Sequence, residues 1–300
     1  KSSTGDLTGA LEDYDKAVEL NPDHAGTYIN RGNVRDELGD AEGAIEDYTM
    51  AIEIDPMFTL AYLNRGESRS DIGDFEGAIA DYTQAIKIDP DYDLAYNNRG
   101  NVKVQMKDYD GAMADLDKAV ELNPKLVVAY YNRANLKDAK GDYKGALEDY
   151  DKALEINPEY MNAYVNRGNV KSELGDEQGA LADFHKAIEL NPNFPITYYN
   201  IGLSYYRMGD YVKAIGSYDK AIELNPRFAQ AYNSRGTSRA LTEDYDGALS
   251  DYMRAIDLDP GNAGYYFGSG LTKAVMGNKE SGCADLKKSL EMGYEKAQQE

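Results

Sequence analysis

An all-α solenoid of stacked, antiparallel helix pairs is the fold class predicted by this 300-residue sequence. Three observations predict it. Eight prolines, Pro22, Pro56, Pro90, Pro124, Pro158, Pro192, Pro226 and Pro260, recur at intervals of 34 residues, and the only other proline is Pro195. Between them, tyrosines and small residues return at fixed offsets with helical spacing. A single helix pair cannot bury its apolar face alone, whereas stacked pairs can, so each repeat is one unit of an array. Length alone would suggest two domains, at roughly 150 residues each. The unbroken register argues instead for one quasi-linear array.

With the recurring proline counted as position 32, full repeats begin at Ala25, Thr59, Asp93, Val127, Met161, Pro195, Ala229 and Ala263. Eight of them fill 25–296, with a short tail at 297–300. The first helix of each repeat carries Tyr at position 4 (Tyr28 through Tyr266) and Gly at position 8, replaced once by Ala134. These positions are i, i+4 neighbours and share a face. A turn such as Gly39-Asp40 or Gly175-Asp176 follows. Gly suits the residue after a helix C-terminus, and Asp caps the next helix. Lys107 and Glu243 replace that Gly, so less regular turns are expected there. The second helix carries a small residue at 20 (Ala44 through Ala248, then Gly282), a large apolar or aromatic one at 24, and Ala51 through Ala255, then Ser289, at 27. Small residues at 8 and 20 let the two backbones approach, and the side chains at 4 and 24 fill the space beside them. Asn-Pro or Asp-Pro ends the second helix, because the residue before proline disfavours helical geometry.

Eight repeats in this register resemble the tetratricopeptide repeat (TPR) over essentially the whole chain. Tyr replaces the family's Trp at position 4, and mostly Arg replaces its Leu at position 7. The resemblance implies a right-handed superhelical solenoid whose first helices line a concave groove. Residues 1–24 match only the second half of a repeat, with Gly5-Asp6 at the turn and Ala10, Tyr14 and Ala17 at positions 20, 24 and 27. The chain starts without Met, so the N-terminus is expected to be truncated, and a signal peptide before it is left open. The tail around Gly282-Cys283-Ala284-Asp285 looks like the C-terminal end of many bacterial TPR proteins, and the C-terminus is expected to be natural.

Composition excludes several function classes. There are 53 acidic against 32 basic residues, a formal net charge of −21, which disfavours nucleic acid and anionic membrane surfaces as partners. No stretch approaches the roughly 18 apolar residues of a membrane span. One cysteine, Cys283, permits neither an intrachain disulfide nor a Cys-based zinc site, and it is expected to pack on the terminal helix. His24 and His185 lie far apart, and recurrent Asp-Tyr-Asp clusters lack the EF-hand spacing. No Ser/His/Asp set, P-loop or dinucleotide motif is present, so neither enzyme activity, metal nor cofactor is expected.

The resemblance places positions 2, 5, 6, 9, 12 and 13 in the groove. Position 6 is Asn in six successive repeats: Asn30, Asn64, Asn98, Asn132, Asn166 and Asn200. A carboxamide offers the donor and acceptor that match one peptide unit. Such a row is similar to the asparagine ladder in the TPR superhelix of O-linked N-acetylglucosamine transferase. Groove acids Asp36, Glu37, Glu67, Asp71, Asp138 and Glu173 fall in the first five repeats, against one cation, Arg207. The basic clamp with which TPR co-chaperones hold acidic tails is therefore absent, and a basic or polar segment fits better. Repeat six departs from its neighbours, with Ile201 for Arg at position 7, Tyr205 for Lys or Arg at 11 and Ser217 for Asp at 23. Its groove residues Tyr199, Leu203, Tyr206 and Arg207 form an apolar, aromatic segment suited to a binding hot spot. The shared loss of Arg and Asp predicts that Arg at 7 pairs with Asp at 23 elsewhere.

The chain is thus expected to be a non-enzymatic scaffold binding an extended peptide or protein segment in its groove. Two other readings stand beside it. One is a recruiting arm of an enzyme whose catalytic domain lies outside this chain. The other is end-to-end self-assembly through the apolar face of helix 6–20.

Overall fold

The computed structural model describes residues 6–294 and contains, among them, seventeen α-helices and no strand. The helices form two compact units divided between Asn157 and Pro158, at the Asn-Pro junction of two repeats. In the first unit, α1 (Leu7–Leu20) precedes the pairs α2 (Ala25–Glu37) and α3 (Ala41–Ile54), α4 (Thr59–Asp71) and α5 (Phe75–Ile88), α6 (Asp93–Gln105) and α7 (Tyr109–Leu122), and α8 (Val127–Ala139) and α9 (Tyr143–Ile156). The second unit holds α10 (Met161–Glu173) and α11 (Glu177–Leu190), α12 (Pro195–Arg207) and α13 (Tyr211–Leu224), α14 (Ala229–Leu241) and α15 (Tyr245–Leu258), and α16 (Ala263–Val275) and α17 (Lys279–Glu291). Gly5 and residues 297–300, part of the sequence-based reading, lie outside the described residues.

Each core is built from the repeat positions that recur. Ala44, Tyr48 and Ala51 pack with Tyr28 and with Ala61 of the next repeat, and Ala78, Tyr82 and Ala85 do the same with Tyr62 and Ala95. In the second unit, Ala180, Leu181 and Phe184 pack with Ile201. Within each unit successive first helices touch: α2 with α4, α4 with α6 and α6 with α8, then α10 with α12, α12 with α14 and α14 with α16. No two second helices pack to the same extent among the described residues. First helices crowded together and second helices splayed apart make the first-helix side of each unit its concave side.

The turns correct one expectation. Six glycines, Gly39, Gly73, Gly141, Gly175, Gly209 and Gly277, have φ between 79° and 87°. Lys107 and Glu243 adopt the same left-handed region, at φ 63° and 65°. Their turns are as regular as the others. Asp108 N–H donates to the Lys103 carbonyl at 2.9 Å and Asp244 N–H to that of Arg239 at 2.9 Å, as Asp40 N–H does to Arg35. The hydrogen bonds impose the conformation, and the following Asp helps, because its carboxylate accepts from Gly111 or Gly247 N–H at 3.0 Å and caps the second helix. The side chain is strained, not the turn. Lys107→Gly and Glu243→Gly are each expected to raise stability by about 0.5–1 kcal/mol, the left-handed penalty less the added freedom of the unfolded chain. Thermal denaturation checks this, and an unchanged or lowered midpoint would contradict it.

Candidate functional site

The concave side begins with what holds it in place. Arg at position 7 forms a two-pronged ion pair with Asp at 23 in six repeats, as in Arg65 to Asp81 (2.7 Å) and Arg133 to Asp149 (2.6 Å). The cation at position 11 closes on the same carboxylate, Arg69 on Asp81 and Lys137 on Asp149, each at 2.7 Å. The third guanidinium nitrogen reaches back one repeat, Arg65 to the Thr49 hydroxyl and Arg133 to Asp117. Each guanidinium also lies over the Tyr at position 4, for example Arg99 at 5.5 Å from the Tyr96 ring centroid. Hydrogen bonding to Asp47 holds Arg31 above its ordinary basicity. With their donors and faces so occupied, these arginines tie helices together and offer no ligand a vacant charge. Repeat six replaces the tie with Ile201 packed beside Tyr205, and repeat eight with Ser269 and Lys273 on Asp285 at 2.7 and 2.6 Å.

The asparagine row is stitched between repeats. Asn64 Nδ2 donates to Asn33 Oδ1 (2.8 Å), Asn98 to Glu67 (2.6 Å), Asn132 to Asn97 (3.0 Å) and Asn200 to Asn169 (2.9 Å). Each of these amides spends one N–H on the preceding repeat. Asn98 Oδ1 additionally accepts from Asn97, a buried residue that sequence reasoning did not single out. Asn30 is exposed, and Asn166 is partly buried. Acids beside the row in the first unit are perturbed. Desolvation raises Asp36, against the hydrogen bonds from Ser68 and Tyr48 and with repulsion from Asp71. Desolvation likewise raises Glu67, against the Asn98 hydrogen bond and with repulsion from Asp71 and Asp36.

In the second unit the concave side carries three hollows that share walls. One of about 170 Å³ is lined by Asn169, Ser172, Glu173, Phe184, Asn200, Leu203 and Arg207. The next, about 190 Å³, lies between Leu203, Tyr206, Tyr218, Ser234 and Thr237. A third, about 450 Å³, is bounded by Tyr206, Leu241, Phe267, Leu271 and Tyr294 among others. Leu203, Tyr206, Arg207 and Asn200 are thus brought together. Tyr199 lines none of the three and packs at a tilt against Phe228 and Tyr218, at 5.0 and 5.7 Å between ring centroids. Arg207 is already bound by Glu173 (3.0 Å) and the Ser172 hydroxyl (2.5 Å), with Glu177 at 3.6 Å. An acidic ligand group would have to displace those carboxylates. Cys283 corrects another expectation, because it lies exposed on α17 and packs against no core.

Among the described residues no helix is long and apolar enough to cross a membrane, and no group of His, Cys, Asp and Glu is arranged to hold a metal ion. Models of the tetratricopeptide repeat match residues 94–126, 127–160 and 195–228, as well as 25–56 and 229–262. A further TPR repeat model matches 3–39, 68–107 and 171–209. The chain belongs to the tetratricopeptide repeat family. As a TPR protein it is a protein-interaction scaffold whose partners are proteins or peptides. No curated protein matches it. Among solved structures it is similar to YrrB, a TPR protein with an unusual peptide-binding site, at 28% identity over 60% of this chain and 92% of that one, TM-score 0.52. It is similar to MamA at 27% identity, over 57% of this chain and 94% of that one, TM-score 0.51. A TPR protein from Parabacteroides merdae ATCC 43184 shares the fold, at 23% identity over 80% of this chain and 96% of that one, TM-score 0.63.

Proposed function

We propose that the concave side of the second unit binds an extended segment of a partner protein. The carrying observation is a run of three hollows, the first two joined through Leu203 and the last two through Tyr206. Asn200, through its carboxamide, holds the segment's backbone. Leu203 and Tyr206 anchor an apolar side chain. A peptide-binding relative, YrrB, supports the reading. In the first unit, Asp36, Glu67 and Asp71 favour a basic or polar segment on the corresponding side.

Random dodecapeptides displayed on phage and selected on the full chain test this. Tyr206→Ala is expected to weaken the selected peptides by about 30-fold, the loss of a buried aromatic anchor worth roughly 2 kcal/mol. Asn200→Ala should weaken them by about fivefold, since water partly replaces a neutral hydrogen bond. Val212→Ala, at an exposed position of α13, should leave affinity unchanged. Equal binding by all three variants would move the site elsewhere.

A further inference from the structure

In three repeats the second-helix tyrosine gives its phenol to position 9 of the first helix. Tyr48 shares its proton between Asn33 (2.8 Å) and Asp36 (2.9 Å), Tyr150 donates to Asn135 (2.6 Å) and Tyr252 to Thr237 (3.1 Å). In repeat six position 9 is Leu203, which has no acceptor. The Tyr218 hydroxyl, on a fully buried side chain, makes no hydrogen bond of good geometry among the described residues, and only the Ser234 hydroxyl is near enough to ease its ionisation by hydrogen bonding. Buried polar groups are nearly always paired, so a missing partner is a signal. The same residue walls the hollow of about 190 Å³, with Leu203, Tyr206, Ser234 and Thr237.

The lining narrows what this hollow can take. None of its five residues is charged, and the nearby Arg207 is already held by Glu173, so an ionised side chain would be desolvated without a free counter-charge. A purely aliphatic one would leave the Tyr218 phenol unpaired. The Thr237 hydroxyl is committed, donating to the Asn233 carbonyl at 3.0 Å and accepting from Tyr252. Ser234 is held only loosely, 3.5 Å from the Tyr199 hydroxyl. Burial pushes the Tyr218 phenol well above its ordinary ionisation range, so it remains a donor. A water's share of volume is about 30 Å³, and the hollow has room for several such groups.

We propose that this hollow is a subsite for a neutral carboxamide, the side chain of a glutamine or asparagine in the bound segment. It rests on the groove reading above. The side chain enters between the partly exposed Leu203 and Tyr206, whose small displacement brings it to the phenol. Its carbonyl oxygen accepts from Tyr218, and its NH₂ group donates to Ser234. Leu at position 9 therefore does more than make repeat six apolar: it transfers a hydrogen bond from the fold to the ligand.

The test uses the full chain, Tyr218→Phe and Tyr206→Ala. The probes are dodecapeptides selected on the full chain, each remade with Gln, Leu or Glu at every position. At one position Gln is expected to bind about tenfold more tightly than Leu or Glu. Tyr218→Phe should abolish that preference while binding the Leu peptide as the unchanged chain does. Because it deletes only an unpartnered oxygen, this variant should fold with an equal or higher melting temperature. If peptides bind, and Tyr206→Ala weakens them, but the Gln preference is absent or survives in Tyr218→Phe, the subsite is overturned and the groove reading stands. If no peptide is selected, or Tyr206→Ala has no effect, both are overturned.

Discussion

Asp149→Ala is expected to destabilise the first unit by about 3 kcal/mol, near the lower end of what breaking one side of a buried ion pair costs. Asp149 is 4% exposed and receives Arg133 at 2.6 Å and Lys137 at 2.7 Å. Removing the carboxylate leaves two cations facing each other in a site shielded from water. Both retain some solvent contact, and Arg133 keeps Asp117, which places the loss at the lower end. Repeat six supplies the control. The triple change Arg133→Ile, Lys137→Tyr and Asp149→Ser installs the arrangement of Ile201, Tyr205 and Ser217. Since a well-packed apolar replacement removes the desolvation penalty together with the attraction, it should cost less than Asp149→Ala alone. Denaturant titration of both variants decides it. A triple variant as unstable as the single one would show that the three residues are not one coupled unit.

Gly282→Ala is expected to cost about 2–3 kcal/mol through overpacking. A Cβ there would lie 2.8 Å from the Gly270 carbonyl oxygen and 3.0 Å from the Ala274 nitrogen. Both are backbone atoms of α16, so relief requires the helices to part. Every earlier full repeat has Ala at this position, which means that α16 and α17 have closed over the space of a missing methyl group. Gly66→Ala gives the contrast. Its Cβ would meet the Tyr82 ring at 2.6 Å, and an aromatic ring can give way. Ala134, which stands at the equivalent position facing Tyr150, shows the exchange to be tolerated. The melting temperature of Gly282→Ala should therefore fall further than that of Gly66→Ala. The reverse order would mean that the last helix pair is loosely held.

The helices, their Asp caps and the Arg–Asp pairs were legible in the sequence because each is set by spacing within a single repeat. What was not legible depends on neighbours. Spacing puts Asn64 and Asn200 on the inner face, but only packing at a separation of 31 residues shows their amides tied to Asn33 and Asn169. Lys107 and Glu243 read as irregular turns because residue preference ignores the hydrogen bonds that enforce the bend. Tyr199 read as groove because its position is a groove position, yet Phe228, at the end of the same repeat, packs against its ring. The Tyr218 phenol was missed although a signal existed: Leu203 stands where Asn33 and Asn135 receive their tyrosines.

The absence of an ionic tie in repeat six also separates how the second unit answers its surroundings. Salt barely reaches the charged cross-links of α10 with α11 and of α14 with α15, whose carboxylates are buried, and leaves the Ile201 contact of α12 untouched. Cooling separates them, weakening apolar burial most. In an array held by nearest-neighbour contacts, the repeat that bears the hollows is the one that loosens in the cold, and amide exchange in α12 would quicken first. The recognition surface is thus the thermally responsive part of a scaffold whose flanking repeats are pinned by charge.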